Sequence, residues 1–437
     1  MVAPLKVGVA GLGTVGSAVV ATVREQKAML AARCGRPIEI VAVCARSKTK
    51  KRGIDLRGLR WFSDPLKLAI DPSIDLFVEL MGGSGEPAKS AVEAALASGK
   101  AVVTANKALL AKHGVALARM AEKQKVALNF EAAVCAAVPA IKTLREGLAG
   151  NRINRVYGIL NGTCNYMLTR MEREKLSFDE CLKEAQRLGY AEADPGFDIE
   201  GHDTAQKLSI LASLAFGTQV NQSAVSVEGI TSITPQDLAA ADELGYRIKL
   251  LGVAARTAKG IEQRVHPTMV RKDSPIAAVM GVTNALTIDA DGIDPITLVG
   301  PGAGGLATAS AVVADIADVA RGLRIPPFGR PVAGLAVSHK APMERHEGGY
   351  YIRLLARDLP GTAAAIASRL AQQKISLESI VQRHLNGEPP AGSGKGAVPV
   401  ILMTYATTED AVRKALVAVG RDRVISGKPQ VIRIEKN

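Results

Sequence analysis

Aromatic residues make up only 3% of this 437-residue sequence. Proteins that bind nucleic acid without a reading helix stack bases on aromatic side chains, so this scarcity argues against that use of the chain's basic balance. Cys34, Cys44, Cys135, Cys164 and Cys181 are odd in number, widely spaced and without a CxxC pair. That pattern excludes a disulfide frame or a zinc site of ordinary spacing, and points to reduced thiols in a cytoplasm. No apolar run approaches the roughly 18 residues needed to span a bilayer. The opening MVAPLKVGVAGLG runs straight into a strand-and-glycine pattern, so no secretory leader is expected. Acidic residues are also short: 55 Lys and Arg against 42 Asp and Glu leave a formal net charge of +13. The basic residues are mostly spread out, which suits the steering of anionic small molecules better than binding of a polyanion. The expectation is a cytoplasmic protein with neither a nucleic-acid nor a membrane partner.

What is present is enough apolar material, 47% of residues, to fill more than one core. The length predicts two or three domains. Short apolar runs at Leu5–Ala10, Ile38–Ala45, Asp75–Leu80, Ala101–Thr104 and Val126–Phe130 alternate with helical spacing at Gly16–Ala31, Ala88–Ser98 and Leu109–Lys123. Strands separated by helices mean right-handed crossovers and a parallel, doubly wound sheet, hence an α/β Rossmann unit over 1–131. Its completion is expected from about 305–330, where Thr308–Leu323 reads as a helix. Over 132–304 helices (Phe178–Leu188, Thr204–Phe216) give way to consecutive strands at Lys249–Arg256, Ile261–Val270, Ala285–Asp289 and Ile296–Val299. That order predicts an α+β mixed-sheet domain for substrate binding and dimerisation. A proline-rich linker is expected over 331–348, and 349–437 reads βαββαβ, the ferredoxin-like order, with a mobile glycine-proline tip at Asn386–Gly396.

Gly11-Leu-Gly13-Thr14-Val15-Gly16 follows the first strand and opens a helix. Gly11 permits the turn, Gly13 lets backbone approach a pyrophosphate, and Gly16 allows close helix–strand packing. The second strand ends in Cys44-Ala-Arg46-Ser-Lys48, with no acid for a ribose. A guanidinium there pairs with a 2′-phosphate, so NADP is favoured and NAD left possible. Thr104-Ala-Asn106-Lys107 sits where a parallel sheet exposes its ligand-binding edge. Glu192, Asp194, Asp198, Glu200 and Asp203 crowd ahead of Lys207, and Asp203 and Lys207 share a helix face at i,i+4. An acid-rich loop entering a helix suits a cationic ligand group, such as an amino-acid ammonium.

GLGTVG, VELMGG (Val78–Gly83), TANKALLA (Thr104–Ala111), NFEAAVCAAVPAI (Asn129–Ile141), NGTCNYML (Asn161–Leu168), GYAEADPGFDIEGHDTAQKL (Gly189–Leu208) and GPGAGGLATASAVVAD (Gly300–Asp315) occur in this order. Over roughly residues 5–325 the sequence resembles the homoserine dehydrogenases, and its tail resembles an ACT domain, an amino-acid-sensing module. The resemblance implies interconversion of L-aspartate 4-semialdehyde and L-homoserine in threonine, methionine and isoleucine biosynthesis. It makes Lys207 the catalytic acid/base, with Lys107 beside it touching substrate and cofactor. Glu192 and Asp203 would hold homoserine, and Asp198 would order the site. Thr14, Val15, Gly82, Thr104, Gly189 and Gly302 join the glycine turn and Arg46 as cofactor contacts. A monovalent cation, usually sodium, would take the Glu131 carboxylate and the carbonyls of Val134, Ala136 and Val138; oxygen-only ligands suit a hard cation. The family commonly has glycines after that valine, where this chain has Cys135-Ala-Ala137. Threonine is the effector the tail implies, and a homodimer or dimer of dimers is expected.

In aldehyde reduction a lysine ammonium stabilises the charge that builds on oxygen and delivers the proton. In alcohol oxidation it must first be neutral; burial and a second lysine favour that, while carboxylates oppose it. A cysteine-dependent semialdehyde dehydrogenase using Cys135 is the nearest rival, but no histidine base lies nearby in sequence. A sensor that has lost catalysis is the other, and the presence of both lysines argues against it.

Overall fold

The computed structural model describes residues 2–258, 260–339, 347–382 and 397–435. Six strands form the first sheet: β1 (Leu5–Ala10), β2 (Ile38–Cys44), β3 (Arg60–Phe62), β4 (Leu76–Glu79), β5 (Ala101–Thr104) and β6 (Leu128–Asn129). They lie in the order β3-β2-β1-β4-β5-β6, every pair parallel. Helices on both faces explain why β1, β4 and β5 are apolar on both sides, with Val7, Val9, Phe77, Val78, Val102 and Val103 all fully buried. The strand order reverses between β1 and β4, so the crevice for a ligand opens at their carboxyl ends. Helix Gly305–Ala320 returns from far along the chain and packs on helix Thr14–Glu25, its Val312 and Ile316 sharing a core with Val19 and Val20.

Two details differ from the pattern reading. The helix expected over Gly16–Ala31 is two, Thr14–Glu25 and Lys27–Cys34, broken at Gln26 without a glycine or proline to mark it. Strand β3 was not anticipated, since three residues carry no measurable alternation.

The second sheet is mixed. It contains β7 (Ile153–Ile159), β8 (Ser226–Val227), β9 (Tyr246–Thr257), β10 (Gly260–Arg271), β11 (Thr283–Ala290), β12 (Ile296–Pro301), β13 (Glu347–Arg357), β14 (Leu377–Gln382), β15 (Ala397–Thr404), β16 (Thr407–Thr408) and β17 (Ile425–Ile434). Its main path runs β12-β11-β7-β9-β10-β17-β13-β15-β14. With helices Thr362–Gln372 and Glu409–Arg421, the tail has the expected βαββαβ order, and its strands lie β17-β13-β15-β14.

The tail is not the separate small unit that the sequence suggests. Strand β17 joins β10 in parallel, Thr268 opposite Arg433 and Met269 opposite Ile434. The Glu435 N–H extends the pairing, donating to Met269 O at 3.0 Å. One face of the tail sheet (Tyr350, Ile352, Leu354) is covered by the tail's own helices, while Tyr351, Met403, Ile432 and Ile434 on the other side enter the main core. Charges stitch the seam: Glu435 takes Arg155 at 2.5 Å and Arg264 at 3.1 Å, and Arg433 takes Glu228 at 2.8 Å. Asp237, wholly buried, accepts from Arg353 Nε at 2.7 Å and Tyr351 Oη at 3.1 Å. Residues 331–339, expected as linker, are also tied down: Val332 N–H donates to Glu122 at 2.9 Å, and Ala336 N–H to Gly217 O at 2.9 Å. The expected glycine-proline tip lies outside the described residues. No helix among the described residues is long and apolar enough to cross a membrane.

Removing one partner of a buried ion pair costs about 3–5 kcal/mol, because the other charge stays behind uncompensated. A chain ended at His339 strands Asp237 and uncovers apolar core, so it should aggregate or melt well below the full chain. A truncated protein that is monodisperse with an unchanged melting temperature, by light scattering and calorimetry, would contradict this interlocking.

Candidate active site

Two helices carry the chemistry to one point. Helix Lys107–Gln124 starts directly after β5, and Asn106 caps it, its Oδ1 accepting from the Leu109 N–H at 3.0 Å. Helix His202–Phe216 is buried almost throughout. At their meeting Asp203 Oδ1 lies 2.6 Å from Lys107 Nζ, and Asp203 Oδ2 accepts from Lys207 Nζ at 2.7 Å. Lys207 also donates to Leu160 O at 2.7 Å. Lys207 and Asp203 are buried; Lys107 is half-buried.

Burial pushes the Asp203 carboxyl up, but the charges and hydrogen bonds of Lys207 and Lys107 outweigh it and hold the group below the usual carboxylate range. Burial likewise works against the Lys207 ammonium, and Asp203 overcomes it, leaving the lysine above its ordinary value. Of the two tendencies weighed from the sequence, the carboxylate wins. Lys207 is therefore held as an ammonium. Asp198 stands nearby, pushed up by burial and then by Asp203.

The lysines border a cleft of about 330 Å³ that is also lined by Val15, Gly82, Val134, Ala136 and Gly302. The glycine turn beside Val15 is built for close backbone approach. A Cβ on Gly11 would lie 2.4 Å from Leu80 O and one on Gly16 would lie 1.9 Å from Gly11 O, whereas one on Gly13 would meet nothing within 4 Å. The first and last glycines are thus needed for backbone packing, and the middle one leaves room at a helix N-terminus. Gly302 is a glycine because the Asn284 amide sits 2.0–2.2 Å from where its Cβ would be. Arg46 is exposed, with no side-chain partner among the described residues.

Several functional residues were missed from the sequence. Glu79 is fully buried at the end of β4; it accepts from the Met81 and Gly82 N–H groups at 2.7 and 3.1 Å and from Thr104 Oγ1 at 2.6 Å. It shapes the turn beside the cleft, and its only signal was an acid ending an apolar run. Arg52 donates to Leu12 O at 3.1 Å and Ser47 O at 2.5 Å, folding the basic loop onto the glycine turn. Asn161 donates 2.9 Å hydrogen bonds to both Asp198 and Asp203.

Other expected residues stand apart. Thr104 is fully buried with its hydroxyl spent on Glu79, so it supports the cleft from within instead of facing a ligand. Gly189 and Glu192 lie on an exposed loop and do not line the cleft. Cys135 is fully buried and burial pushes its thiol up to about 12, which disqualifies it as a nucleophile.

The expected cation ligands lie on the short helix Ala132–Cys135 and the residues that flank it. Glu131 is buried, its two oxygens accepting from the Ile141 and Lys142 N–H groups at 2.8 Å each, and burial pushes its carboxyl up to about 7. Carboxylate oxygens retain further lone pairs, and a cation would relieve that buried charge, so the oxygen donor set fits a hard ion. The Val138 carbonyl already accepts from the Ala140 N–H at 2.7 Å. Ala136 takes φ 46° and ψ −109°, a conformation suited to glycine, at the place where this sequence departs from the family's glycines.

A family model described as homoserine dehydrogenase matches residues 139–317, and one described as homoserine dehydrogenase, NAD binding domain, matches 11–131. The homoserine dehydrogenase of Neisseria gonorrhoeae is 43% identical over 99% of both chains. The crystal structure of a homoserine dehydrogenase from Thiobacillus denitrificans superposes with a TM-score of 0.92 at 42% identity, covering 99% of this chain and 98% of that one. A hyperthermophilic archaeal homoserine dehydrogenase in complex with NADPH has a TM-score of 0.62 at 26% identity, covering 73% of this chain and 98% of its own.

Proposed function

The chain belongs to the homoserine dehydrogenase family of NAD(P)-dependent oxidoreductases, and we propose that it interconverts L-aspartate 4-semialdehyde and L-homoserine, with Lys207 moving the proton. The observation that carries this reading is Asp203 held between two lysine ammonium groups at the wall of a dinucleotide cleft. A bound nicotinamide supplies or accepts the hydride. The Lys207 ammonium stabilises the charge growing on the carbonyl oxygen and delivers its proton there. Lys107 orients substrate and cofactor, Asp203 and Glu192 take the amino-acid ammonium, and Asp198 orders the site. Glu192 stands on an exposed loop outside the cleft, so its part rests on the family resemblance alone. The glycine turn with Thr14 and Val15, together with Gly82 and Gly302, makes up the cofactor surface; Thr104 supports it from within through Glu79, and Gly189 stands outside it on the exposed loop. Glu131 with the carbonyls of Val134, Ala136 and Val138 would hold sodium or a similar ion, fixing the loop that lines the cleft.

The cofactor is NADP, with NAD as the alternative. Arg46 follows β2 with no acid beside it, and Arg52 holds its loop against the glycine turn; the archaeal relative's NADPH complex supports the same choice. We further assign residues 1–131, completed by about 305–330, to cofactor binding and 132–304 to substrate binding and dimerisation, in a cytoplasmic enzyme of threonine, methionine and isoleucine synthesis. After a connection at 331–348, the βαββαβ tail over 349–437 serves as an ACT domain that senses threonine, in a homodimer or dimer of dimers.

Lys207→Ala is expected to lower kcat for homoserine oxidation at least about 10²-fold, the usual scale of acid–base catalysis, without unfolding the chain. Near-normal turnover in a spectrophotometric assay would remove Lys207 from the mechanism. Arg46→Ala should lower kcat/KM for NADPH roughly 10- to 100-fold, the worth of one charge-assisted hydrogen bond, and leave NADH nearly unchanged. Equal losses with both cofactors would defeat the phosphate assignment. Threonine should inhibit the full-length enzyme, with a shift in effective affinity of about 5- to 150-fold for typical coupling. Calorimetric titration of the full chain showing no heat, together with unchanged rates, would leave the tail a structural element.

A further inference from the structure

Two buried or half-buried carboxylates, Asp198 and Asp203, lie close enough for the charge of Asp203 to raise the proton affinity of Asp198. A single side chain stands between them. The Asn161 Nδ2 group spends its two hydrogens on Asp198 Oδ1 and Asp203 Oδ2, at 2.9 Å each. Its Oδ1 accepts from the Cys164 N–H at 2.8 Å and caps helix Gly162–Glu174. This pattern allows one orientation only, because a flipped amide would set its oxygen against two carboxylates.

The neighbouring residue adds a second grip. Leu160 O accepts from Lys207 Nζ at 2.7 Å, the same nitrogen that holds Asp203. Leu160 and Asn161 follow directly on β7, whose pairing with β9 and β11 fixes their backbone. One two-residue step therefore touches the lysine through its carbonyl and the carboxylate through its amide.

We infer that Asn161 is a positioning residue of the proton-transfer site, bridging Asp198 and Asp203 so that Asp203 stays aimed at both lysines. The inference rests on the reading of Lys207 as proton carrier. No other uncharged side chain of this size offers two donors and one acceptor in these directions. An aspartate at 161 would keep the helix cap but add a third carboxylate. A serine would keep a capping oxygen but could not reach both partners.

The groups facing Lys207 are Asp203 and Asp198 from the acid-rich segment, Lys107 from the neighbouring helix by way of Asp203, and the buried thiols Cys135 and Cys164. Both thiols are pushed up by burial and stay neutral in the working range. Charge at position 161 is thus the variable that a substitution changes. A further carboxylate stabilises the ammonium, so the ascending limb of homoserine oxidation, where the lysine loses its proton, should move to higher pH in Asn161→Asp.

The test is the pH profile of kcat for oxidation in wild type, Asn161→Asp and Asn161→Ser, with KM for the dinucleotide and melting curves alongside. Asn161→Asp should shift the limb upward by about one pH unit, giving about tenfold slower oxidation below it. Asn161→Ser should lose at least about tenfold in kcat; it serves alone if the aspartate variant does not fold. In both, KM for the dinucleotide should change little. A superposable pH limb in Asn161→Asp, or a normal kcat in Asn161→Ser with only a lowered melting temperature, would reduce Asn161 to a helix cap and overturn the inference. Lys207→Ala measured in parallel separates the two claims: near-normal turnover there sinks the parent reading, whereas its loss with an unmoved limb sinks only this one.

Discussion

A carboxylate buried between two ammonium groups is the constraint on which the rest of this structure depends. Taking Asp203 out of water costs several kcal/mol, and that cost is offset only because Lys107 and Lys207 both reach it with good geometry. The two lysines come from different sheets' helices. Lys107 opens the helix after β5 of the parallel sheet, while Lys207 lies on the helix packed against β9 and β10 of the mixed sheet. The ion triad therefore joins the two sheets' helices at the wall of the cleft. It also sets the charge state: Asp203 holds Lys207 as an ammonium despite its burial.

Around this point the fold supplies rigidity in layers. Glu79 links the ends of β4 and β5 through Thr104 and two backbone N–H groups. Asn106 then ties the helix start to Gly83 O at 2.7 Å. On the opposite wall Asn284 lies against Gly302 and leaves no room for a side chain there. Glu79, Thr104 and Asn106 act on one another and on backbone instead of on solvent, so this wall of the cleft keeps its shape before any ligand enters.

The continuity of the mixed sheet links the tail to this site through physical contacts. Arg433 on β17 grips Glu228, whose chain runs on to Ile230, and the Ile230 N–H donates to Ile199 O at 2.9 Å, one residue from Asp198. A β-strand inserted into a neighbour's sheet moves little relative to it, because slippage by one residue would turn Ile432 and Ile434 out of the core. The tail built this way is part of the middle domain's own sheet.

What the amino-acid sequence determined by itself was local. The GxGxxG turn, the alternation of apolar strands with helices over the first 130 residues, the i,i+4 spacing of Asp203 and Lys207, and the βαββαβ order of the tail each depend on neighbours within a few dozen positions, and each was legible. Tertiary structure decided which of these meet. Asn161 and Glu79 look like an ordinary cap and a stray acid until their partners, 42 and 25 residues away, are placed beside them. The direction of the Lys207 shift depends on a contest between burial and Asp203 that spacing cannot weigh. The fusion of tail and middle sheet is equally invisible, since Thr268 and Arg433 pair across a gap that no periodicity spans. Patterns along a chain encode which face of an element is buried; they do not encode what covers it, because that is settled by long-range packing.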